Sequence, residues 1–295
     1  MQQRLLGVAA ALAASLALLA GCGQQKITTT KKNYTADGMV AVIKGKAPHD
    51  AQLTAEIDGK TKKITNHDGN FVYTVAPTTK VQTVALKSGS AKRDVTVAAS
   101  KGFGTYQAFA AKYNMILLQM NSKGKTTAKS GTTASSQQKQ GAASGSQGQQ
   151  SGATTTAAGA AAAKKAQATM QAQLLAQAAK QPGALPVTGQ EGIHNILTVK
   201  DSTVRTNVQN GQLIGATFIT PTATLKSKTK AAAFAQQFAL LASTLGADAK
   251  AVMKDFQKQA KDSQNGQTTM KTITSNKVHF DVGYSPDKLY IYITK

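Results

Sequence analysis

The chain has 295 residues, with 35 Lys and Arg against 13 Asp and Glu and a net charge of +22. One cysteine rules out an internal disulfide. Only Arg4, Arg93 and Arg205 are arginines and aromatics make up 5% of the chain, which argues against specific nucleic-acid binding, since phosphate and base recognition leans on the bidentate guanidinium and single strands need stacking rings. The charge is spread along the chain: +8 over residues 23–120, +7 over 121–190 and +6 over 191–295. Lysine-dominated charge of this kind is drawn to anionic lipid headgroups and wall polyanions, or to an envelope protein that carries the opposite sign.

The N-terminus reads MQQRLLGVAAALAASLALLAGCG. One cation precedes an apolar run from Leu5 to Ala20, too short for a comfortable span of the bilayer and arranged like a secretory signal peptide. The run ends in Leu19-Ala20-Gly21-Cys22. These residues resemble the lipobox of bacterial lipoproteins of Gram-positive type. The resemblance implies cleavage between Gly21 and Cys22, a diacylglyceryl group on the Cys22 thiol, and a lipid-anchored position on the extracytoplasmic face of the cell membrane. It also accounts for the odd cysteine of an exported chain. Residues 1–21 are then signal and 22–36 a polar tether.

Residues 37–99 turn to short β-branched runs separated by turn residues, the pattern of an antiparallel sandwich. Leu53, Ala55 and Ile57 alternate with polar neighbours, and Phe71, Tyr73 and Val75 share a face. Asp68-Gly69-Asn70-Phe71, leading into Tyr73, Val75 and Pro77, is similar to the hairpin of bacterial Ig-like surface modules. That resemblance implies an all-β Ig-like sandwich serving as a spacer or adhesive unit.

From residue 103 the period changes. Tyr106, Phe109, Tyr113, Ile116 and Met120 make one helical stripe, which suits docking onto the sandwich or the C-terminal domain; a partner-binding helix is the other reading. The sandwich domain with this helix is set at 37–120. Residues 121–190 follow as a low-complexity linker. Its first part, to about residue 156, is Ser, Thr, Gln, Gly, Ala and Lys, and has too little apolar surface to offset chain entropy. An Ala-rich helix follows over 157–180, with Met170, Leu174 and Ala178 as a thin stripe and Pro182-Gly183 as its stop. The linker closes on Leu185-Pro186-Val187-Thr188-Gly189. This matches the five-residue pattern that sortases cut, but more than a hundred residues follow it with no apolar stop segment, so it reads as a Pro/Gly loop at a domain boundary.

Residues 191–295 are expected to form an α+β domain: an antiparallel sheet with two helices on one face. Asn210-Gly211 marks a hairpin. Phe234, Phe238, Leu241 and Leu245 mark one helix closed by Gly246, and Asp248 caps a second along Val252, Phe256 and Ala260. Val278, Phe280, Val282, Leu289, Ile291 and Ile293 alternate inward on the closing strands.

Chemistry is sparse. The four histidines, His49, His67, His194 and His279, have no metal-ligand spacing, and no cofactor fingerprint is present. Glu56 and Asp58 read as a solvated pair on one strand face. The one polar cluster of interest is His279, Tyr284, Tyr290 and Tyr292, a candidate binding face for a sugar or a peptide strand; an ordinary outward strand face is the simpler reading. The sequence therefore points to a membrane-anchored, non-enzymatic envelope binding, adhesion or scaffold protein, in which a flexible linker presents the C-terminal domain. The alternative is an enzyme or enzyme accessory acting on wall polymer or exported protein. A transporter's solute-binding lipoprotein fits less well, because solute capture wants a cleft between larger lobes.

Overall fold

The structure is a computed structural model that describes residues 26–49, 51–126, 157–264 and 270–295. Gly21, Cys22 and the signal run lie outside the described residues, as does most of the low-complexity stretch. The chain divides into two units, the first ending at Ser100 and the second beginning at Lys101.

The first unit is all β. Its strands are β1 (Thr28–Thr29), β2 (Asn33–Tyr34), β3 (Ala41–Lys46), β4 (Leu53–Ile57), β5 (Lys60–Ile64), β6 (Asn66–His67), β7 (Asn70–Val75), β8 (Gln82–Ser88) and β9 (Ala91–Val97). They form two sheets, β1-β3-β7-β6 and β2-β9-β8-β4-β5. Alternation explains the packing: Ala41, Ile43, Phe71 and Val75 from one sheet meet Leu53, Val84, Leu86, Val95 and Val97 from the other in one buried core. Two hairpins turn on an Asp-Gly pair, Asp58-Gly59 and Asp68-Gly69, with positive φ at both residues, as a tight turn matched to strand twist requires.

Two expectations for this unit are corrected. The fold begins inside the expected tether, because Ile27 and Tyr34 are buried and β1 and β2 pair into the two sheets. Gly45 makes room for β1: a Cβ there would collide with the Thr28 carbonyl oxygen. Glu56 and Asp58 do not share a strand face either. Asp58 sits in the turn, and Glu56 accepts a 2.6 Å bond from the Lys87 ammonium across β4 and β8.

The second unit opens with helix α1 (Tyr106–Thr126) and continues with α2 (Ala157–Ala179). Three strands follow, β10 (Gly192–Val199), β11 (Ser202–Gln209) and β12 (Gln212–Pro221). A 3-10 turn at Thr222–Lys226 leads to α3 (Lys228–Thr244) and α4 (Ala249–Gln264), and β13 (Ile273–Ser275), β14 (Val278–Tyr284) and β15 (Lys288–Thr294) close the chain. The six strands form one antiparallel sheet, ordered β10-β11-β12-β15-β14-β13. Phe218, Phe234, Phe238, Phe256 and Phe280 form its aromatic core, with successive ring centroids 5.5–6.2 Å apart. Such offset and edge contacts add to the burial gain. Asp248 caps α4, its carboxylate accepting from the amides of Lys250 and Ala251 at 3.0 Å each.

The expected domain boundaries shift. The stripe Tyr106, Phe109 and Tyr113 of α1 is buried in the core of the second unit, so the helix does not belong with the sandwich. The second unit starts some ninety residues before position 191, and the low-complexity stretch lies between α1 and α2 within it. It is an insertion into the α+β unit, not a linker between units. Of the thin stripe on α2, Ala178 is buried while Met170 and Leu174 are exposed.

Candidate functional site

Period-two alternation sorts the closing strands into two faces. Val278, Phe280, Leu289, Ile291 and Ile293 are buried against the helices. The intervening residues, His279, Asp281 and Gly283 on β14 and Tyr290, Tyr292 and Thr294 on β15, are half-exposed on the opposite face. The register sets His279 opposite Thr294, Asp281 opposite Tyr292 and Gly283 opposite Tyr290. The rings of Tyr290 and Tyr292 stand parallel, 6.2 Å apart and 10° from coplanar orientation. Tyr292 leans over Gly283, where a Cβ would meet its Cε2 at 3.4 Å. An aromatic ring covering a strand glycine shields the exposed backbone.

The same face continues across the sheet. The hydroxyl of Thr274 bonds the Nδ1 of His279 at 3.1 Å, and the hydroxyl of Thr272 donates to the carboxylate of Asp281 at 2.5 Å. On the other side of the tyrosines, β12 contributes Thr217 and Ile219, both buried, opposite Tyr292 and Tyr290. Beyond them Arg205 donates from Nε to the Asn195 side-chain oxygen at 2.7 Å. The half-exposed part of this face is thus the strip of His279, Tyr290 and Tyr292, and the buried Thr217 and Ile219 set it apart from the Arg205–Asn195 pair. Such a surface suits recognition of an extended ligand laid across strands.

Of the residues expected to share this face, His279, Tyr290 and Tyr292 do so. Tyr284 does not. It pairs with Leu289, which places it on the helix-side parity at the end of the strand, 56% exposed, with its hydroxyl donating to the Met270 sulfur at 3.3 Å. The strand length decides this: counting from the buried Val278, position 284 falls on the inward phase, where the sheet edge leaves it uncovered.

A second feature surrounds the sortase-like motif. Leu185 is 2% exposed and belongs to the core of the unit. The buried side chain of Asn114 binds both of its backbone groups, accepting from the Leu185 amide at 2.7 Å and donating to its carbonyl at 2.9 Å. The Tyr106 hydroxyl donates to the Pro186 carbonyl at 3.0 Å, and Gly189 lies so close to the Tyr106 ring that a Cβ would approach it to 2.7 Å. The Glu191 carboxylate accepts from the amides of Asn210 and Gly211 at 2.8 and 2.7 Å, pinning the β11–β12 turn. These ties shape a cleft of about 440 Å³ between the start of α1, residues 187–189 and that turn. Its lining carries amides and hydroxyls, with Tyr106, Val187 and Val208 as apolar wall. Burial pushes the Tyr106 hydroxyl up to about 12, and Tyr113 likewise.

Asn114 and Glu191 were not singled out from the sequence. Asn114 had a signal: it lies four residues after Ala110, on the margin of the apolar stripe, where a polar side chain is either exposed or committed to a bond. Glu191 had none, since its partners are nineteen and twenty residues away.

Among the described residues no cluster of His, Cys, Asp and Glu could hold a metal ion, and no helix is long and apolar enough to cross a membrane. No protein-family model matches the chain, and no curated protein matches it.

Proposed function

We propose that this protein is an envelope lipoprotein, anchored through Cys22 on the extracytoplasmic face of the cell membrane, that binds an envelope component without turning it over. The reading of the anchor rests on Leu19-Ala20-Gly21-Cys22 after a signal-like run. The reading of the binding role is carried by one observation: the sheet of the second unit buries one face under helices and presents the stacked Tyr290 and Tyr292, with His279, on the other. Aromatic rings with fixed polar neighbours are the usual makings of a recognition surface. The first unit acts as an Ig-like spacer or adhesive module. Its two packed sheets and the Asp68-Gly69 turn leading to the buried Phe71 support that assignment.

The test uses the chain from Gly23 onward on isolated cell envelopes across a salt titration, with Tyr290→Ala and Tyr292→Ala beside it. Saturable binding that survives high salt and weakens at least tenfold in the double variant supports a shaped site; an order of magnitude corresponds to losing about 1.4 kcal/mol. Binding that disappears with salt in every variant alike reduces the interaction to lysine-driven attraction and ends the proposal for this face. Labelled palmitate that enters the wild-type chain and not Cys22→Ala tests the anchor separately.

A further inference from the structure

The outer face of the first sheet of the sandwich sets two exposed valines among lysines. Inward residues of β3 and β7 alternate with six outward ones: Val42, Lys44 and Lys46, and Asn70, Val72 and Thr74. All six are exposed, Val72 by 59% and Val42 by 36%. None is acidic. The register interleaves them, with Lys44 opposite Val72, Val42 opposite Thr74 and Lys46 opposite Asn70. β1 borders this face, with Thr28 opposite Lys46. The chain enters it directly from the N-terminal side, since Ile27 is already buried at 5% exposure and Lys26 before it is exposed.

We infer that this face is a membrane-docking surface that lies against anionic lipid headgroups, with Val42 and Val72 at the apolar boundary and Lys44 and Lys46 among the phosphates. The inference rests on the lipid anchor proposed above. Four residues separate Cys22 from Ile27, and the five Cα–Cα steps reach at most roughly 18 Å when extended. β1 is the edge of the sheet, and β7 lies only two strand spacings further, roughly 10 Å. A diacylglyceryl group on Cys22 thus brings this face to the bilayer surface at high effective concentration. Charge and apolarity then agree on the occupant. Lysines draw anionic headgroups within a Debye length, and their stems lie along apolar surface while the ammonium stays among phosphates. The valines distinguish lipid from a soluble polyanion, because only the interface offers them an apolar contact.

The experiment uses the unlipidated chain from Gly23 onward, which contains every described residue, with vesicles of phosphatidylcholine alone and of phosphatidylcholine mixed with phosphatidylglycerol. Sedimentation measures partitioning. The expected result is binding to the mixed vesicles only, reduced about 30-fold by Lys44→Gln with Lys46→Gln. The control pair, Lys60→Gln with Lys62→Gln on the β5 edge of the other sheet, removes the same charge and is expected to change binding less than about threefold. Val72→Asp lowers binding as well, and Val72→Thr, which keeps the β-branched shape, lowers it less. Equal losses from the two lysine pairs overturn the assignment, because attraction would then follow net charge alone. Binding indifferent to Val72→Asp and competed away by soluble polyphosphate also overturns it, in favour of a polyanion. The palmitate assay is independent: a chain that takes no label but binds vesicles through this face loses the anchor and keeps the surface.

Discussion

Asn114→Ala tests the claim that the sortase-like segment is part of the tertiary core. Asn114 is 1% exposed, and its amide satisfies both the N–H and the C=O of the buried Leu185. Alanine strands one buried donor and one buried acceptor, each costing about 1–3 kcal/mol when unpaired. The expected loss is therefore about 2–6 kcal/mol, before any gain from relaxation of the loop. Urea unfolding of the chain, followed by circular dichroism and tyrosine emission, reads it as a shift of the midpoint of the second unit at constant slope. Sortase digestion gives a second reading, because the enzyme needs its five residues extended. Folded wild-type chain is expected to resist cleavage between Thr188 and Gly189. Asn114→Ala is expected to be cut roughly a hundred times faster, in proportion to its larger open population, if opening is rapid. A loss below about 1 kcal/mol, with wild-type and variant cut equally fast, would refute the argument. Asn114→Asp refines it: the aspartate keeps an acceptor for the Leu185 amide but faces the Leu185 carbonyl with a second oxygen, so this variant should recover stability as acid protonates it.

Other expectations follow from the same packing. Tyr106 and Tyr113 are pushed from 10.0 up to about 12 by burial, so folded tyrosine holds its proton longer than unfolded tyrosine. Stability is then intact below pH 10 and drains as pH rises toward 12, by about 1.4 kcal/mol per pH unit for each ring and roughly 3 kcal/mol for both at pH 11; urea midpoints at rising pH check this, and Tyr113→Phe should halve the slope. Lys277 sits at φ 65° after Asn276 at φ 51° in the β13–β14 turn; Lys277→Gly removes the left-handed penalty and should raise stability by about 1 kcal/mol, or 2–4 °C in the melting midpoint of the second unit. Gly189→Ala drives a methyl to 2.7 Å from the buried Tyr106 ring; calorimetry should show about 1–3 kcal/mol lost.

Much of the fold is legible without the structure. Alternation identified β4, β7, β14 and β15, since a strand with one buried face must repeat every two residues, and β-branched runs between turn residues marked β3 and β8. The helical stripe from Tyr106 to Met120, the Asp248 cap and the Asn210-Gly211 turn were equally local, and the structure places each where its pattern pointed. So was the outward phase of His279, Tyr290 and Tyr292. The short strands β1 and β2 were not legible, because two residues make no period, and the place of β1 also depends on the missing side chain at Gly45.

Composition by itself divided the chain into folded stretches and a stretch too poor in apolar residues to bury a core. It also carried the charge, the lone cysteine and the N-terminal motif. Only tertiary structure decided which unit each stretch serves. A stripe such as that of α1 states that a helix must be covered and leaves open by what; here Val208, Leu213 and the α3 face cover it, so the helix belongs to the second unit. The LPVTG segment shows the same limit. Its five residues read as a loop by local chemistry, yet Asn114 and Tyr106, more than seventy residues earlier, supply the bonds that hold it. Local sequence sets the torsions and the faces; partners far apart in the chain are chosen by which buried surfaces and backbone groups would otherwise stay unsatisfied.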